Sequence, residues 1–146
     1  MASRRREALT GTFVLDSSAL LAFLHGEQGQ ELVAELLAAA DEGRLTVRLH
    51  RIHLGEVYYL LYRRGGEKIA EAMVDDVRKL PITIDDRVSP MLMREAAKLK
   101  ATNRVSYADA FAAGLAKVRD ARLVTCDRRE FGPLESKAEA RVLWAR

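Results

Sequence analysis

Apolar and polar positions follow two rhythms along the chain. Phe13-Val14-Leu15 is a continuous apolar run that stops at a single carboxylate, Asp16, the pattern of a parallel strand buried on both faces. Ser17 to Leu24 continues with helical character, and Leu32, Val33, Leu36, Leu37 and Ala40 recur at helical spacing over Glu31 to Ala40. Leu45-Thr46-Val47 predicts a second strand, and Ile52 to Arg63 a helix that Gly65-Gly66 stops. Glu67 to Leu80 predicts another helix, with apolar positions Ile69, Ala70, Met73, Val74, Val77 and Leu80, and Pro81 forbids its continuation. Ile82-Thr83-Ile84 reads as a third strand closed by Asp85-Asp86. Val88 to Lys100 and Ser106 to Val118 read as helices, Arg122 to Thr125 as a fourth strand and Arg141 to Trp144 as a fifth.

Short strands separated by helices of this length predict crossover connections and a parallel sheet, hence one α/β domain. Each connecting helix then starts from the carboxyl edge of the sheet, where open α/β sheets bind their ligands. The pattern does not fix the strand order.

Composition narrows the class. With 49% hydrophobic and 31% charged residues over 146 positions, the chain has the balance of a folded globular domain. Its one cysteine, Cys126, excludes an internal disulfide and a cysteine-rich zinc site, and fits a reducing, cytoplasmic setting. No run approaches the roughly 18 apolar residues of a membrane helix, so no membrane association is expected. Met1 to Arg6 is basic with no apolar signal core behind it; residues 1–11 are expected to be a solvated basic tail ahead of a single domain over 12–146. Lys and Arg number 24 against 21 Asp and Glu, a net charge of +3 that tilts only slightly toward an anionic partner such as nucleic acid.

Four acids carry the candidate chemistry. Asp16 and Asp127 each follow a strand, and taken singly they read as a helix N-cap and a turn-forming residue. Asp109 stands three residues after Ser106, the spacing of a capping box, yet it is the only charge between Ser106 and Ala116 on a helix apolar nearly all round. Glu56 has Ile52 and Leu60 one turn away on the same face, and an acid held among apolar side chains needs a partner or a cation. With Glu56 and Asp109 placed in the first turns of their helices, all four acids fall at the carboxyl edge. Gathered carboxylates repel one another unless a cation sits among them, and an all-oxygen donor set favours Mg²⁺ or Mn²⁺ over zinc. The matching reaction is phosphodiester hydrolysis by a metal-activated water. His50 and His53 read as surface or structural residues, and Ser17-Ser18 lacks the glycines of a nucleophile elbow. No Walker loop or dinucleotide fingerprint is present.

Four segments together resemble the PIN-domain family, and within it the VapC-type ribonuclease toxins: Val14-Leu15-Asp16-Ser17-Ser18-Ala19-Leu20-Leu21-Ala22, Gly55-Glu56-Val57-Tyr58-Tyr59, Ser106-Tyr107-Ala108-Asp109-Ala110-Phe111-Ala112 and Val124-Thr125-Cys126-Asp127. Glu95 to Lys100 looks like the family's segment ahead of the third acid, and the likeness runs from about Thr12 to Trp144. The resemblance implies a three-layer α/β/α sandwich with five parallel strands in the order 3-2-1-4-5. It maps Asp16, Glu56, Asp109 and Asp127 onto the family's catalytic acidic quartet, with Asp16 and Asp109 as the most direct ligands of Mg²⁺ or Mn²⁺ and Thr125 as a hydroxyl beside them. It further implies an RNA substrate cut endonucleolytically at exposed single-stranded or loop regions, a homodimer, and a cognate antitoxin that holds the enzyme inactive. Cys126 departs from the pattern, which carries a small residue, commonly glycine, just before the fourth acid. Arg128, Arg129, Lys98, Lys100 and Arg104 are candidate phosphate contacts, each equally readable as solvated surface. Three alternatives stay open: an RNA-processing PIN nuclease without an antitoxin, a receiver-like phosphoryl-accepting domain using Asp85 and Asp86, and a PIN fold that only binds RNA or a partner, its acids intact but its activity lost. Against the second, a receiver pairs two acids after its first strand, where this chain has one.

Overall fold

The computed structural model describes residues 9–146; residues 1–8, most of the expected basic tail, lie outside the described residues. Five strands, β1 (Gly11–Leu15), β2 (Leu45–His50), β3 (Thr83–Asp85), β4 (Arg122–Thr125) and β5 (Val142–Trp144), form one parallel sheet in the order β3-β2-β1-β4-β5. The helices are α1 (Ser17–His25), α2 (Gln30–Asp41), α3 (Arg51–Gly65), α4 (Glu67–Arg78), α5 (Pro90–Thr102), α6 (Tyr107–Val118) and α7 (Arg128–Ser136). The strand order is the one the family resemblance implies. A receiver domain has its strands in the order 2-1-3-4-5, so that alternative is removed.

Alternation along the strands sorts side chains into two cores. Phe13, Leu15, Val47, Leu49 and Val124 pack on one face with residues of α1 to α4. Val14 and Leu123 pack on the other with residues of α5 to α7. The result is a three-layer sandwich. α6 lies close against α5 because its sequence there is small: a Cβ added at Gly114 would sit 3.1 Å from the Ala96 backbone nitrogen. Gly66, at φ +86°, turns the chain between α3 and α4 in a conformation that side chains rarely adopt.

Three local features differ from the sequence pattern. β2 runs on past Val47 through Arg48 to His50, because Arg48 is paired with buried Asp85 (3.0 Å), which Arg119, just past the end of α6, also grips (2.6 Å). α7 forms where Gly132 and Pro133 look like breakers: Asp127 caps it, and fully buried Phe131 and Leu134 anchor it. Ile69, on the expected apolar stripe of α4, is instead half exposed. Among the described residues no helix is long and apolar enough to cross a membrane.

Candidate active site

β1 and β4 are neighbours, with Leu15 opposite Val124, so the residues that follow them meet at the carboxyl edge. The Asp16 amide donates to the Val124 carbonyl (3.2 Å). Asp16 itself is only 2% exposed. Its Oδ1 accepts from the Ala19 amide (2.9 Å) and the Ser18 hydroxyl (2.8 Å), and its Oδ2 accepts from the Thr125 hydroxyl (2.5 Å). The Asp16 N-cap reading is therefore correct as far as it goes, but the cap takes one of three donors.

Both hydroxyls donate and accept, and they lie 3.2 Å from each other. Ser18 Oγ accepts from the Cys126 amide (3.0 Å), and Thr125 Oγ1 from the Asp127 amide (3.0 Å). A hydroxyl has one proton, so each gives it to Asp16 and takes a backbone amide in return. Ser18 and Thr125 thus pin Asp16 to the backbone that leads to Asp127. Burial nevertheless pushes the Asp16 carboxyl above its ordinary range; these hydrogen bonds oppose the shift and the charge of Asp127 adds to it.

Glu56 lies in the second turn of α3, not the first as the sequence spacing placed it. It is half-buried, and its pKa is raised first by burial and then by Asp16, against a hydrogen bond from Ser17. Its Oε1 is buried without a hydrogen-bond partner. Asp109 sits in the first turn of α6, whose N-terminus Ser106 caps by accepting from the Asp109 amide (3.1 Å). Burial, then the charges of Asp16, Glu56 and Glu130, lift Asp109 to about 7. Asp127 caps α7, accepting from the Glu130 amide (3.1 Å).

All four expected acids are thus brought within electrostatic range of at least one other, and a fifth, Glu130, joins them. Sequence reasoning missed Glu130, although its position three residues after Asp127 is capping-box spacing. It also missed Ser18, and it left His53 between surface and structure. The structure makes both histidines structural. His50 Nδ1 accepts from the Ile52 amide (3.1 Å) to cap α3, and its Nε2 donates to the Arg87 carbonyl (3.0 Å). His53, wholly buried, donates from Nε2 to the Ala108 carbonyl (2.8 Å) and so ties α3, which carries Glu56, to the turn that carries Asp109. Burial holds His53 down at about 4, so it is neutral at neutral pH.

The donor set suits a hard cation. It is all carboxylate, Asp16 raises the pKa of Glu56 and Asp109, and one carboxylate oxygen is buried with no donor. Among the described residues no three His, Cys, Asp or Glu side chains stand close enough together to enclose an ion. The sulfur of Cys126 lies against Gly29, where an added Cβ would approach it to 3.1 Å.

The candidate phosphate contacts divide. Lys98 pairs with Glu95 (3.6 Å), Lys100 donates to the Val105 carbonyl (2.7 Å), and Arg128 lies over the Trp144 ring at 4.5 Å. Arg104 and Arg129 line a common cleft. Asp85, the residue a phosphoryl acceptor would need, is 7% exposed and held by two arginines.

The PIN domain family pattern matches residues 13–134, which include all four acids. The chain belongs to the PIN-domain family. No curated protein matches it in sequence. Solved structures show the same fold at low identity. VapBC2 from Rickettsia felis, bound to a DNA fragment from its promoter, is 16% identical with a TM-score of 0.71, covering 91% of this chain and 98% of that one. A toxin–antitoxin complex from Klebsiella pneumoniae is 14% identical with a TM-score of 0.66, covering 91% and 97%. VapC20 of Mycobacterium tuberculosis, a toxin that cleaves the sarcin–ricin loop, is 19% identical with a TM-score of 0.63, covering 83% and 94%.

Proposed function

We propose that this PIN-domain protein is a metal-dependent endoribonuclease of the VapC type, the toxin of a toxin–antitoxin pair. The observation that carries the reading is the meeting of Asp16, Glu56, Asp109 and Asp127 at one sheet edge, where burial and neighbouring carboxylates raise the pKa of Asp16, Glu56 and Asp109 and Glu56 Oε1 is left without a donor. Such a group is unfavourable without a cation and suited to one. Structural likeness to proteins crystallised as toxin–antitoxin complexes supports an antitoxin partner, and likeness to a toxin that cleaves the sarcin–ricin loop supports RNA as substrate. The enzyme would act in the cytoplasm as a homodimer.

Asp16 and Asp109 are the residues to hold Mg²⁺ or Mn²⁺, with Glu56 and Asp127 beside them. The cation supplies charge neutralisation at the phosphate and a water of lowered pKa. The chain's own part is positional. Ser18, Thr125 and the Ala19 amide fix both oxygens of Asp16 before any ligand arrives. His53 fixes the distance between the helices of Glu56 and Asp109. A carboxylate among these acids takes the proton from the attacking water; Glu56 Oε1, buried and without a donor, is free to accept it.

The test uses protein freed of any partner, incubated with Mn²⁺ or Mg²⁺ on transfer RNA, ribosomal RNA and unstructured RNA. Discrete cuts in exposed loops, suppressed by the product of a small adjacent gene, are expected. Cutting that no neighbouring gene product suppresses would favour an RNA-processing role, and intact RNA on every substrate would refute the nuclease.

A further inference from the structure

We propose that the cleft between the C-terminal end of α5 and helix α7 is a subsite for the phosphate backbone of single-stranded RNA, held by Arg104 and Arg129. The inference rests on the nuclease reading and extends it to where the strand lies beyond the scissile phosphate. The cleft encloses about 640 Å³, and Thr102, Asn103, Arg104, Arg129, Glu130 and Lys137 line it. That volume suits a nucleotide-sized group.

Two observations set this cleft apart from ordinary charged surface. One is its position. Glu130 is both a wall of the cleft and one of the charges that raise Asp109, so the cleft opens beside the acidic centre. A polyanion passing over five acids is repelled unless positive charge flanks its path. The other is the state of its polar groups. At the end of α5 the carbonyls of Lys98, Leu99 and Thr102 already accept from Thr102 Oγ1 (2.9 Å), Asn103 Nδ2 (3.0 Å) and Lys137 Nζ (3.4 Å). Lys137 is further occupied by Asn103 Oδ1 (2.7 Å). Lys100 is held by the Val105 carbonyl, and Arg128 stacks on Trp144. Among the described residues Arg104 and Arg129 have no hydrogen bond or ion pair, and both face the same space. The guanidinium fork matches a phosphate in two-point geometry, and it cannot be deprotonated to escape an empty site.

The experiment measures binding of a short fluorescent single-stranded RNA to the full chain in EDTA, so that no cleavage intervenes, over a series of salt concentrations. Arg104→Ala, Arg129→Ala and the double variant are compared with wild type and with Lys79→Ala on the remote end of α4. Each single variant is expected to weaken binding about threefold and the double about tenfold. The slope of log K against log salt should drop by about 0.7 per lost contact, which a loss of folded protein would not produce. Arg104→Lys should retain the slope. Equal affinity and slope in the double variant and wild type would overturn the assignment. Loss of an acidic peptide's binding in the double variant, with RNA binding unchanged, would overturn it in favour of a protein partner. If wild type cuts RNA with metal while the double variant binds as wild type does, the subsite alone fails. If wild type binds RNA through the arginines but never cuts it, the subsite stands and the nuclease reading fails.

Discussion

Replacing Asp109 with asparagine is expected to stabilise the protein when no divalent cation is present. Burial, followed by Asp16, Glu56 and Glu130, lifts the Asp109 carboxyl from 3.8 to about 7, against the hydrogen bond with Ser106. Between those values the folded chain holds a proton that the unfolded chain has released, so this group's contribution to stability falls as pH rises through the window and levels off above it. The shift corresponds to about 4 kcal/mol, at about 1.4 kcal/mol per unit; since the carboxyl is only partly buried, solvent screening reduces it to about 2 kcal/mol. Asparagine has nearly the same shape and no charge at any pH. In EDTA at pH 8 the variant should therefore melt about 5 °C above wild type, and near pH 4 the two should nearly coincide. The comparison must be between variants at each pH, because His53 acts in the opposite direction. Burial lowers its pKa from 6.5 to about 4, so the stability it contributes is present above 6.5 and lost as pH falls toward 4. That contribution is common to both proteins and cancels in the difference. Saturating Mn²⁺ should raise the melting temperature of wild type more than that of the variant. A variant that melts at or below wild type at pH 8 in EDTA would refute the electrostatic reading of the cluster.

Two further substitutions test the framework around the site. Thr125→Val removes the donor to Asp16 and the acceptor of the Asp127 amide together, and should cost about 2 kcal/mol in urea denaturation, most of it recovered by Thr125→Ser. Gly114→Val should cost about 1–3 kcal/mol by forcing α6 away from the Ala96 backbone, whereas Gly114→Ala should be close to neutral because its gain in helix propensity, about 1 kcal/mol, offsets the tight 3.1 Å contact.

What the sequence could show divides by the range of the interactions involved. Asp16 and Asp127 are legible because a strand end and a carboxylate lie close together in the chain, whereas the sheet order β3-β2-β1-β4-β5 is implied only by the family resemblance and by no apolar run. Asp109 and Glu56 are legible as acids with the wrong neighbours. Arg48 is not: it looks like the end of a strand because its partner, Asp85, lies 37 residues away. His53 likewise shows no local sign of its role, since the carbonyl it binds belongs to Ala108, 55 residues on. Helix α7 was hidden by Gly132-Pro133, whose tolerance depends on the Asp127 cap and on the burial of Phe131 and Leu134. Glu130 carries no signal until that helix exists. The pairing of Arg104 with Arg129 across a cleft is likewise a product of tertiary structure.

The most direct measurement is a Mn²⁺ titration in which metal binding and RNA cleavage are followed on the same preparation, with Asp16→Asn and Asp109→Asn alongside wild type. A metal-activated nuclease predicts that cleavage rises and saturates with metal occupancy, disappears in EDTA, and is lost in both variants while they remain folded. Cleavage that persists in EDTA, or that survives both substitutions, would contradict it.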